Sequence, residues 1–352
     1  MRLVTKALLW LAFAAGAASA LDYDALAARI LKSLKLSRGE RVLLHPDPEY
    51  FRELIDPLRR RLRAAGAREV FALDESTGVY LWLPLRPERR ELPQGEREDL
   101  GRWLDQGGAH RAIHFHWADG SRDLDGLAGE HSEALDDLYQ DALETDLAAI
   151  GRAQDRAISM LRSGTVRVRT SAGTDISFRV GNRPFNKQDG DASADRMKSA
   201  RVRIDREVEL PAGVLRVAPL EETVNGVIVI PQARIAGVTA ESIRLQIRSG
   251  AAANVEAATN AAAARSLLSL TGETRGRFRE FCLGFHPKLT ATPGQRTLPY
   301  YGYGAGVVRM SFGDNQELGG AVKGGAVRWL FFTDATVEVD GRVLVREGNL
   351  IE

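Results

Sequence analysis

The chain has 352 residues, which is enough for two domains of modest size. Its 48 Lys and Arg against 47 Asp and Glu give a formal net charge of +1, so the composition gives no reason to expect nucleic acid or an acidic membrane surface as a partner. Cys282 is the one cysteine, which excludes an intramolecular disulfide.

The first twenty residues have the three parts of a secretory signal peptide. Two basic residues precede an apolar run over 7–15, and small residues follow up to Ala18-Ser19-Ala20. The apolar run is short for a bilayer span, although a buried first helix or an uncleaved anchor would fit the same pattern. We expect residues 1–20 to be removed, leaving a periplasmic or secreted protein that starts near Leu21 and has no stable membrane anchor.

Residues 21–162 are expected to form an α/β domain with a parallel sheet. A buried-type strand over 41–45, an amphipathic helix over 48–65 and a second strand over 69–73 make a βαβ unit. The turn after the first strand, over 46–48, contains no glycine. A dinucleotide-binding loop is therefore not expected there.

Residues 163–352 are expected to form a mixed domain rich in antiparallel strands. Alternating apolar and polar residues replace the helical spacing of the first half. From the end of the first half onward, the patterns predict a long helical region over 135–161, a hairpin over 166–180, a strand over 201–204, an alanine-rich helix over 251–268 and a last hairpin with its turn at Asp340-Gly341.

The histidines and the cysteine give no catalytic pattern by themselves. His114 and His116 are two apart on a predicted strand, so they share a face and could chelate a metal. No third ligand lies next to them, and a strand with one polar face is the favoured interpretation. Cys282 lies between Phe281 and Leu283 and is interpreted as a small core residue, not a nucleophile.

Four separated segments carry glycines, prolines and apolar residues in a characteristic order. They are the opening over 27–74, the Leu210-Pro211-Ala212-Gly213 segment that leads to Gly226, the Arg279-Glu280 strand that leads to Pro287, and residues 307–330. In order and spacing they resemble the thermophilic-metalloprotease type of aminopeptidase, the aminopeptidase T and leucyl aminopeptidase group. The resemblance implies a hydrolase of peptide N-termini with two divalent metal ions, and a homodimer.

The resemblance also implies five metal ligands, of which the chain retains one. Glu280 takes the position of a glutamate ligand, while Val214, Arg309, Arg328 and Leu330 take the positions of the other glutamate, two histidines and an aspartate. An arginine has no free lone pair near neutral pH, and one carboxylate does not hold a catalytic divalent ion. We therefore expect no metal cofactor and a weak or absent peptidase activity.

In place of the metals, Glu280, Arg309 and Arg328 are expected to converge on the side of the second domain that faces the first. Such a cluster either only packs or binds an anionic group, and Asp314 is a further candidate for ligand binding. Two functions remain open: an exported aminopeptidase-family protein that is weak or inactive, and a non-catalytic binding protein for a peptide or small anionic ligand between the domains. A related ring-cleaving dioxygenase needs a His/His/carboxylate iron site and is the least favoured.

Overall fold

The computed structural model describes residues 21–47, 49–86, 92–269, 276–292 and 294–351, so the predicted signal peptide lies outside the described residues. No helix in these ranges is long and apolar enough to cross a membrane. The helices are α1 Tyr23–Leu34, α2 Arg52–Ala64, α3 Gln94–Asp105, α4 Glu133–Ala142, α5 Leu147–Arg162, α6 Ala194–Met197 and α7 Ala261–Ser269.

The strands form three sheets and a short two-stranded ribbon within the described residues. In the first part of the chain they are β1 Arg41–His45, β2 Arg68–Val70, β3 Val79–Trp82, β4 Arg111–Phe115, β5 Arg122–Asp123, β6 Thr165–Arg169, β7 Asp175–Arg179, β8 Asn186–Gln188, β9 Glu207–Leu210 and β10 Val214–Val217. In the second part they are β11 Asn225–Ile235, β12 Val238–Arg248, β13 Ala251–Glu256, β14 Phe278–Gly284, β15 Thr297–Leu298, β16 Val308–Phe312, β17 Arg328–Phe332, β18 Thr336–Val339, β19 Arg342–Arg346 and β20 Asn349–Leu350.

The parallel sheet has the strand order β2-β1-β3-β4-β9, and every neighbouring pair in it is parallel. Alternate residues of its strands face opposite sides. Val79, Leu81 and Ile113 pack in a core with α1 and α2, whereas Tyr80 and Ala112 pack against α3. The mixed α/β class predicted from the sequence is confirmed, as is the βαβ unit of β1, α2 and β2.

The fifth strand of the parallel sheet comes from far along the chain. β9 follows α5 and three strands of the other sheets, and it returns to lie beside β4 with Ala112 opposite Glu207 and Phe115 opposite Leu210. The next strand, β10, starts four residues after β9 ends. It belongs to the middle sheet, whose strand order is β17-β16-β14-β10-β8. The short segment between β9 and β10 therefore joins the two sheets directly.

The middle sheet is antiparallel and packs against an antiparallel outer sheet of order β13-β12-β11-β7-β6-β18-β19-β20. Phe281, Met310 and Leu330 of the middle sheet share one core with Val168 and Ile228 of the outer sheet. The predicted antiparallel character of the second half is thus confirmed. The opposite face of the middle sheet looks toward the parallel sheet.

Several predicted elements are present and others differ. The first and last hairpins are confirmed, and in the last one Asp340 and Gly341 have φ of 47° and 82°, as a tight turn of inverted type requires. The helix predicted over 251–268 is confirmed only in its second part, as α7. Its first part is β13, whose pairing with β12 outweighs the helix propensity of alanine. The strand predicted over 201–204 is wrong, since Arg203–Arg206 forms a 3₁₀ turn before β9.

Candidate functional site

The strand register of the middle sheet determines which side chains face the parallel sheet. Arg216 lies opposite Cys282, and Cys282 lies opposite Arg309. Glu280 lies opposite Ser311. Because side chains alternate along a strand, these residues project from the face away from the outer sheet.

Glu280 is fully buried at the centre of a cluster of guanidinium groups. Its Oε2 accepts a hydrogen bond of 3.0 Å from Arg216 Nε and lies 2.7 Å from Arg279 Nη1. Its Oε1 accepts a hydrogen bond of 3.1 Å from the Ser311 hydroxyl and lies 3.5 Å from Arg309 Nη2. We call Arg216, Arg279, Glu280, Arg309 and Ser311 the arginine cluster.

Glu317 extends the arginine cluster toward solvent. Its Oε1 accepts hydrogen bonds from Arg216 Nη2, at 3.1 Å, and from Arg279 Nη2. Three guanidinium groups thus meet two carboxylates, which leaves one positive charge in excess. The arginines are only 3–5% exposed, so the pairing takes place in an environment that screens charge weakly.

The electrostatics of the cluster follow from burial and pairing. Burial alone would raise the pKa of Glu280, but Arg279, Arg216 and Arg309 together hold it well below its usual range. Burial alone would lower the pKa of Arg216, but Glu280 and Glu317 raise it well above normal. Glu280 and Arg216 are therefore both charged at every physiological pH.

The structure brings Glu280 and Arg309 together but leaves Arg328 elsewhere. Arg328 lies opposite Phe312 and projects from the side of β17 that also carries Leu330, which belongs to the core against the outer sheet. Its charged neighbour is Asp125, and burial lowers its pKa. The expected convergence of all three residues is therefore corrected: Arg328 is not part of the arginine cluster.

The remaining predicted positions carry no ligand group to this site. Val214 is buried in the core beside the parallel sheet, and Leu330 faces the outer sheet. Asp314 accepts the backbone N–H groups of Gln316, at 2.9 Å, and of Gly324, so it holds its own loop. No contact joins Asp314 to the arginine cluster in the described residues.

Arg216 and Arg279 are site residues that the sequence analysis missed. Arg216 is two residues after Val214 on the same strand, and that spacing alone could have indicated it. Arg279 is different, because β14 has a β-bulge between Phe278 and Glu280 and Arg279 is the extra residue. A bulge redirects a side chain, which is why Arg279 reaches the same carboxylate as its neighbours.

The residues of this site do not fit a catalytic metal. In the described part of the chain no group of three or more His, Cys, Asp or Glu side chains could hold a metal ion. On the neighbouring strand β17, the residues that share the face of Arg309 are Trp329 and Phe331. Neither can bind a metal, so matching β17 to the family pattern one residue further along does not restore a ligand. Cys282 Sγ accepts a hydrogen bond of 3.1 Å from Arg309 Nη2. Burial raises the pKa of the Cys282 thiol to about 12, which agrees with its interpretation as a core residue.

A second polar group lies at the carboxyl end of the parallel sheet. His116 follows β4, and its Nδ1 lies 2.7 Å from Asp119 Oδ2. The same oxygen accepts a hydrogen bond of 2.9 Å from the Tyr301 hydroxyl, and Asp119 Oδ1 accepts the Trp117 N–H at 3.0 Å. Open parallel sheets usually carry their ligand sites at this edge.

The protonation of this group is defined by its contacts. Burial would raise the pKa of Asp119, but His116 and the hydrogen bonds from Trp117 and Tyr301 lower it strongly. Burial would lower the pKa of His116, but Asp119 and Glu209 raise it above its ordinary value, against a smaller opposing effect of Arg122. Asp119 is therefore a carboxylate at neutral pH.

Tyr301 connects the two polar groups. Its hydroxyl binds Asp119, and its carbonyl oxygen accepts a hydrogen bond of 3.3 Å from Arg309 Nη1. Tyr300 and Tyr301 have φ of 36° and 51°, a left-handed conformation that costs energy in residues with a side chain. Strained backbone of this kind is concentrated at functional sites, and here it positions Tyr301 between the arginine cluster and His116.

A cavity of about 290 Å³ lies between α3, the parallel sheet and the Gln316–Leu318 turn that follows β16. His114 and Glu207 line it, with His114 Nε2 3.4 Å from Glu207 Oε2. Burial and the nearby Glu317 and Glu209 raise the pKa of Glu207 to about 8, while burial and His116 lower that of His114 to about 3. Both groups are therefore mainly neutral at pH 7. The other lining residues are Trp82, Leu92, Arg97, Leu100, Gly101, Leu104, Arg203 and Glu317.

Comparison with known proteins identifies a shared fold. No protein-family model and no curated protein sequence matches the chain. Its structure is similar to 2,5-dihydroxypyridine dioxygenase from Pseudomonas putida KT2440, with TM-score 0.63 and 16% identity over 94% of this chain and 98% of that one. It is also similar to wild-type AmpT from Thermus thermophilus, with TM-score 0.55 and 17% identity over 94% of this chain and 99% of that one. At these identities the similarity shows the fold and a distant structural relationship.

Proposed function

We propose that this protein, a distant structural relative of the aminopeptidase AmpT, binds a free amino acid or short peptide without a metal cofactor. The observation that carries the proposal is the lining of the 290 Å³ cavity. Two glutamates, Glu207 and Glu317, and two arginines, Arg97 and Arg203, surround it. A zwitterion offers an ammonium group to the first pair, where its charge favours ionisation of the otherwise neutral Glu207, and a carboxylate to the second pair.

The apolar part of the cavity supports the same ligand class. Leu100 and Leu104 of α3 and the indole of Trp82 form its wall. An indole face also attracts an ammonium group. The volume of about 290 Å³ is at the lower end of the roughly 300–1,000 Å³ of ligand pockets, which favours a small molecule over a long peptide.

Four related compounds test the binding proposal. L-leucine and the dipeptide leucyl-alanine should raise the melting temperature of the protein, since a ligand that binds only the folded state stabilises it. N-acetyl-leucine and leucine amide each lack one charge and should bind at least about tenfold more weakly, equivalent to about 1.4 kcal/mol. If none of the four compounds shifts the melting temperature, the proposal is wrong.

A matched pair of variants locates the binding. Glu207→Gln should weaken the binding of leucine and of leucine amide but leave that of N-acetyl-leucine unchanged. A bound ammonium group favours the charged form of Glu207, which is otherwise mainly neutral, and glutamine has no such form. Glu338→Gln, which loses an ion pair with Arg169 in the outer sheet, should leave the binding of leucine and of leucine amide unchanged. Leucine binding that is equal in both variants would place the ligand elsewhere.

We also propose that the chain has lost metal-dependent peptidase activity. The purified protein should contain far less than one equivalent of zinc, cobalt or manganese and should not hydrolyse aminoacyl p-nitroanilides. The reason is the guanidinium charge at positions that would have to bind cations. Stoichiometric metal that depends on Glu280 would restore the peptidase hypothesis.

The second candidate is a small anion held by the arginine cluster. The one excess positive charge of that cluster favours it, whereas the 3–5% exposure of the arginines disfavours it. Succinate distinguishes the two, because its binding should be lost in Arg309→Gln only if the cluster is the site. The same proposal includes three further points: export after cleavage of residues 1–20, the absence of a nucleic-acid partner, and assembly as a homodimer. Light scattering after size exclusion tests the homodimer.

A further inference from the structure

His116 presents a lone pair close to the proposed ligand cavity, whose lining includes its neighbours Trp82 and His114. Asp119 is ionised and can only accept hydrogen bonds, so the Nδ1 of His116 must carry the proton that it shares with Asp119. In the neutral imidazole, Nε2 then keeps its lone pair. No described residue donates to Nε2, and the side chain of His116 is 16% exposed.

The space beside His116 has the size of one water molecule. A crevice of about 10 Å³ is lined by His116 and Asp119 and by Trp82, Leu83, Pro84, Leu85 and Phe115. A cavity needs roughly 10–15 Å³ of this kind to hold a water. Its position next to a histidine that is oriented by a carboxylate is the arrangement of a general base.

The water-sized crevice adjoins the larger cavity. Trp82 lines both. The ring of His116 lies 5.9 Å from the Trp82 ring and 5.7 Å from the ring of His114, which also lines the larger cavity. The two spaces meet at Trp82, so a ligand in the larger cavity must reach past this side chain to meet a water held against His116.

We propose that His116 and Asp119 form a metal-independent hydrolytic site that cleaves esters of amino acids held in the cavity. The inference rests on the proposed function, since the same cavity must first bind the aminoacyl group. His116 Nε2 takes a proton from water while the water oxygen forms a bond to the ester carbonyl carbon. The tetrahedral intermediate then expels the alkoxide, which takes the proton from His116, so that the products are an amino acid and an alcohol.

The chemistry favours esters over amides. A positioned general base contributes typically about 10²–10⁴-fold, and here no metal ion polarises the carbonyl group. An alkoxide leaves far more readily than an amide nitrogen, so this contribution is sufficient for an ester. Described charged groups near His116 are Asp119, Glu209 and Arg122, with His114 as a neutral neighbour. Their net effect raises the pKa of His116, so the rate should rise as pH increases through a value above 6.5.

An isosteric pair of substrates tests the proposal. Leucyl-lactate and leucyl-alanine differ only in the atom of the cleaved bond, and leucine release is measured for both against a buffer blank. The full-length protein should hydrolyse leucyl-lactate and not leucyl-alanine. Hydrolysis of leucyl-lactate at the buffer rate overturns the inference, and so does cleavage of leucyl-alanine that a chelator abolishes.

The variants assign the activity to His116. His116→Gln should lower kcat by at least about 100-fold with KM changed less than about twofold, the size expected for loss of a general base. Asp119→Asn, a second and milder change, should also lower kcat and shift the inflection of the pH profile to lower pH, because Asp119 raises the pKa of His116. His131→Gln is the matched control, because His131 Nε2 lies 2.9 Å from Asp136 outside the lining of both spaces, and it should leave the rate unchanged.

Two further outcomes separate this inference from the binding proposal. Wild-type rates in His116→Gln would overturn the hydrolytic role even if hydrolysis is observed. Calorimetry with L-leucine is carried out on the same preparations and also reports whether each variant is folded. Leucine binding without ester hydrolysis contradicts only the hydrolytic inference, whereas the absence of leucine binding contradicts the proposed function.

Discussion

At the scale of single residues, the most consequential feature is a buried carboxylate that neutralises several arginines. Glu280 is fully buried and lies within 3.5 Å of Arg216, Arg279 and Arg309. Moving charged groups out of water costs free energy, and the attraction between buried charges offsets that cost only while every charge keeps its partner. The identity of this residue therefore affects stability whatever the cluster binds.

Glu280→Gln keeps the shape of the side chain and removes its charge. We expect the free energy of unfolding to fall by roughly 3–5 kcal/mol, as for other buried pairs that lose one partner. Urea denaturation measures the change. Asp175→Asn is the control, because Asp175 pairs with Arg167 on the exposed face of the outer sheet and such pairs contribute little. Equal stability of Glu280→Gln and wild type would show that the cluster is not held by charge.

Glu207 should make stability depend on pH in an unusual direction. Its pKa is raised from 4.5 to about 8 in the folded protein, so between these values the folded chain holds a proton that the unfolded chain has released. Stability from this group is complete below the lower value and is lost as pH rises to the upper one. Glu207→Gln should therefore lose less stability than wild type between about pH 5 and pH 8 in urea denaturation. An identical pH dependence in both proteins would contradict the raised pKa.

At the scale of elements, strand register determined what could be predicted about the site. Glu280 and Arg309 were expected in one cluster because both take the positions of metal ligands in the family that the chain resembles, and the pairing of β14 with β16 brings them together. Arg328 was expected there for the same reason and was misplaced, because a shift of one residue along β17 moves a side chain to the opposite face. Arg279 depends on a bulge, and a bulge has no reliable signal in a single sequence.

The break in the predicted helical region over 135–161 gives a test at the same scale. Asp146 caps α5 by accepting the N–H groups of Ala148 and Ala149, at 3.0 and 3.2 Å. Asp146→Ala should lower the free energy of unfolding by about 1 kcal/mol, the usual value for an N-cap. Ser132→Ala at the start of α4 should cost less, because the Ser132 side chain makes no capping hydrogen bond. Similar losses for both substitutions would mean that the cap does not stabilise α5.

At the scale of the whole molecule, the fold was easier to predict than the site. Hydrophobic periodicity and turn residues indicate the βαβ unit, both hairpins and the antiparallel second half, because each depends on local spacing. The group of His116, Asp119 and Tyr301 depends instead on residues up to 185 positions apart, and only the folded chain brings them together. From the sequence, His116 was considered together with His114 as a possible metal chelate. In the structure its partner is the carboxylate of Asp119, three residues later.

The N-terminus gives a prediction for the whole chain. The three-part pattern of residues 1–20 predicts cleavage after Ala20, so that protein exported by a suitable host begins at or near Leu21. N-terminal sequencing of the exported protein measures this directly. Replacing the apolar residues at 8 and 9 with arginine should retain the protein inside the cell with its first residues intact. Met1 in the final exported product would contradict cleavage.

The long return of β9 to the parallel sheet has a consequence for the synthesis of the protein. The first four strands of that sheet leave the ribosome before β9, which is separated from them by α5 and by strands of the other two sheets. During that interval β4, whose five residues are all buried in the finished protein, has an unpaired edge. An unpaired apolar edge is a template for pairing with another chain. The arrival of β9, and not the completion of the first half, therefore marks the point at which this edge is protected from aggregation.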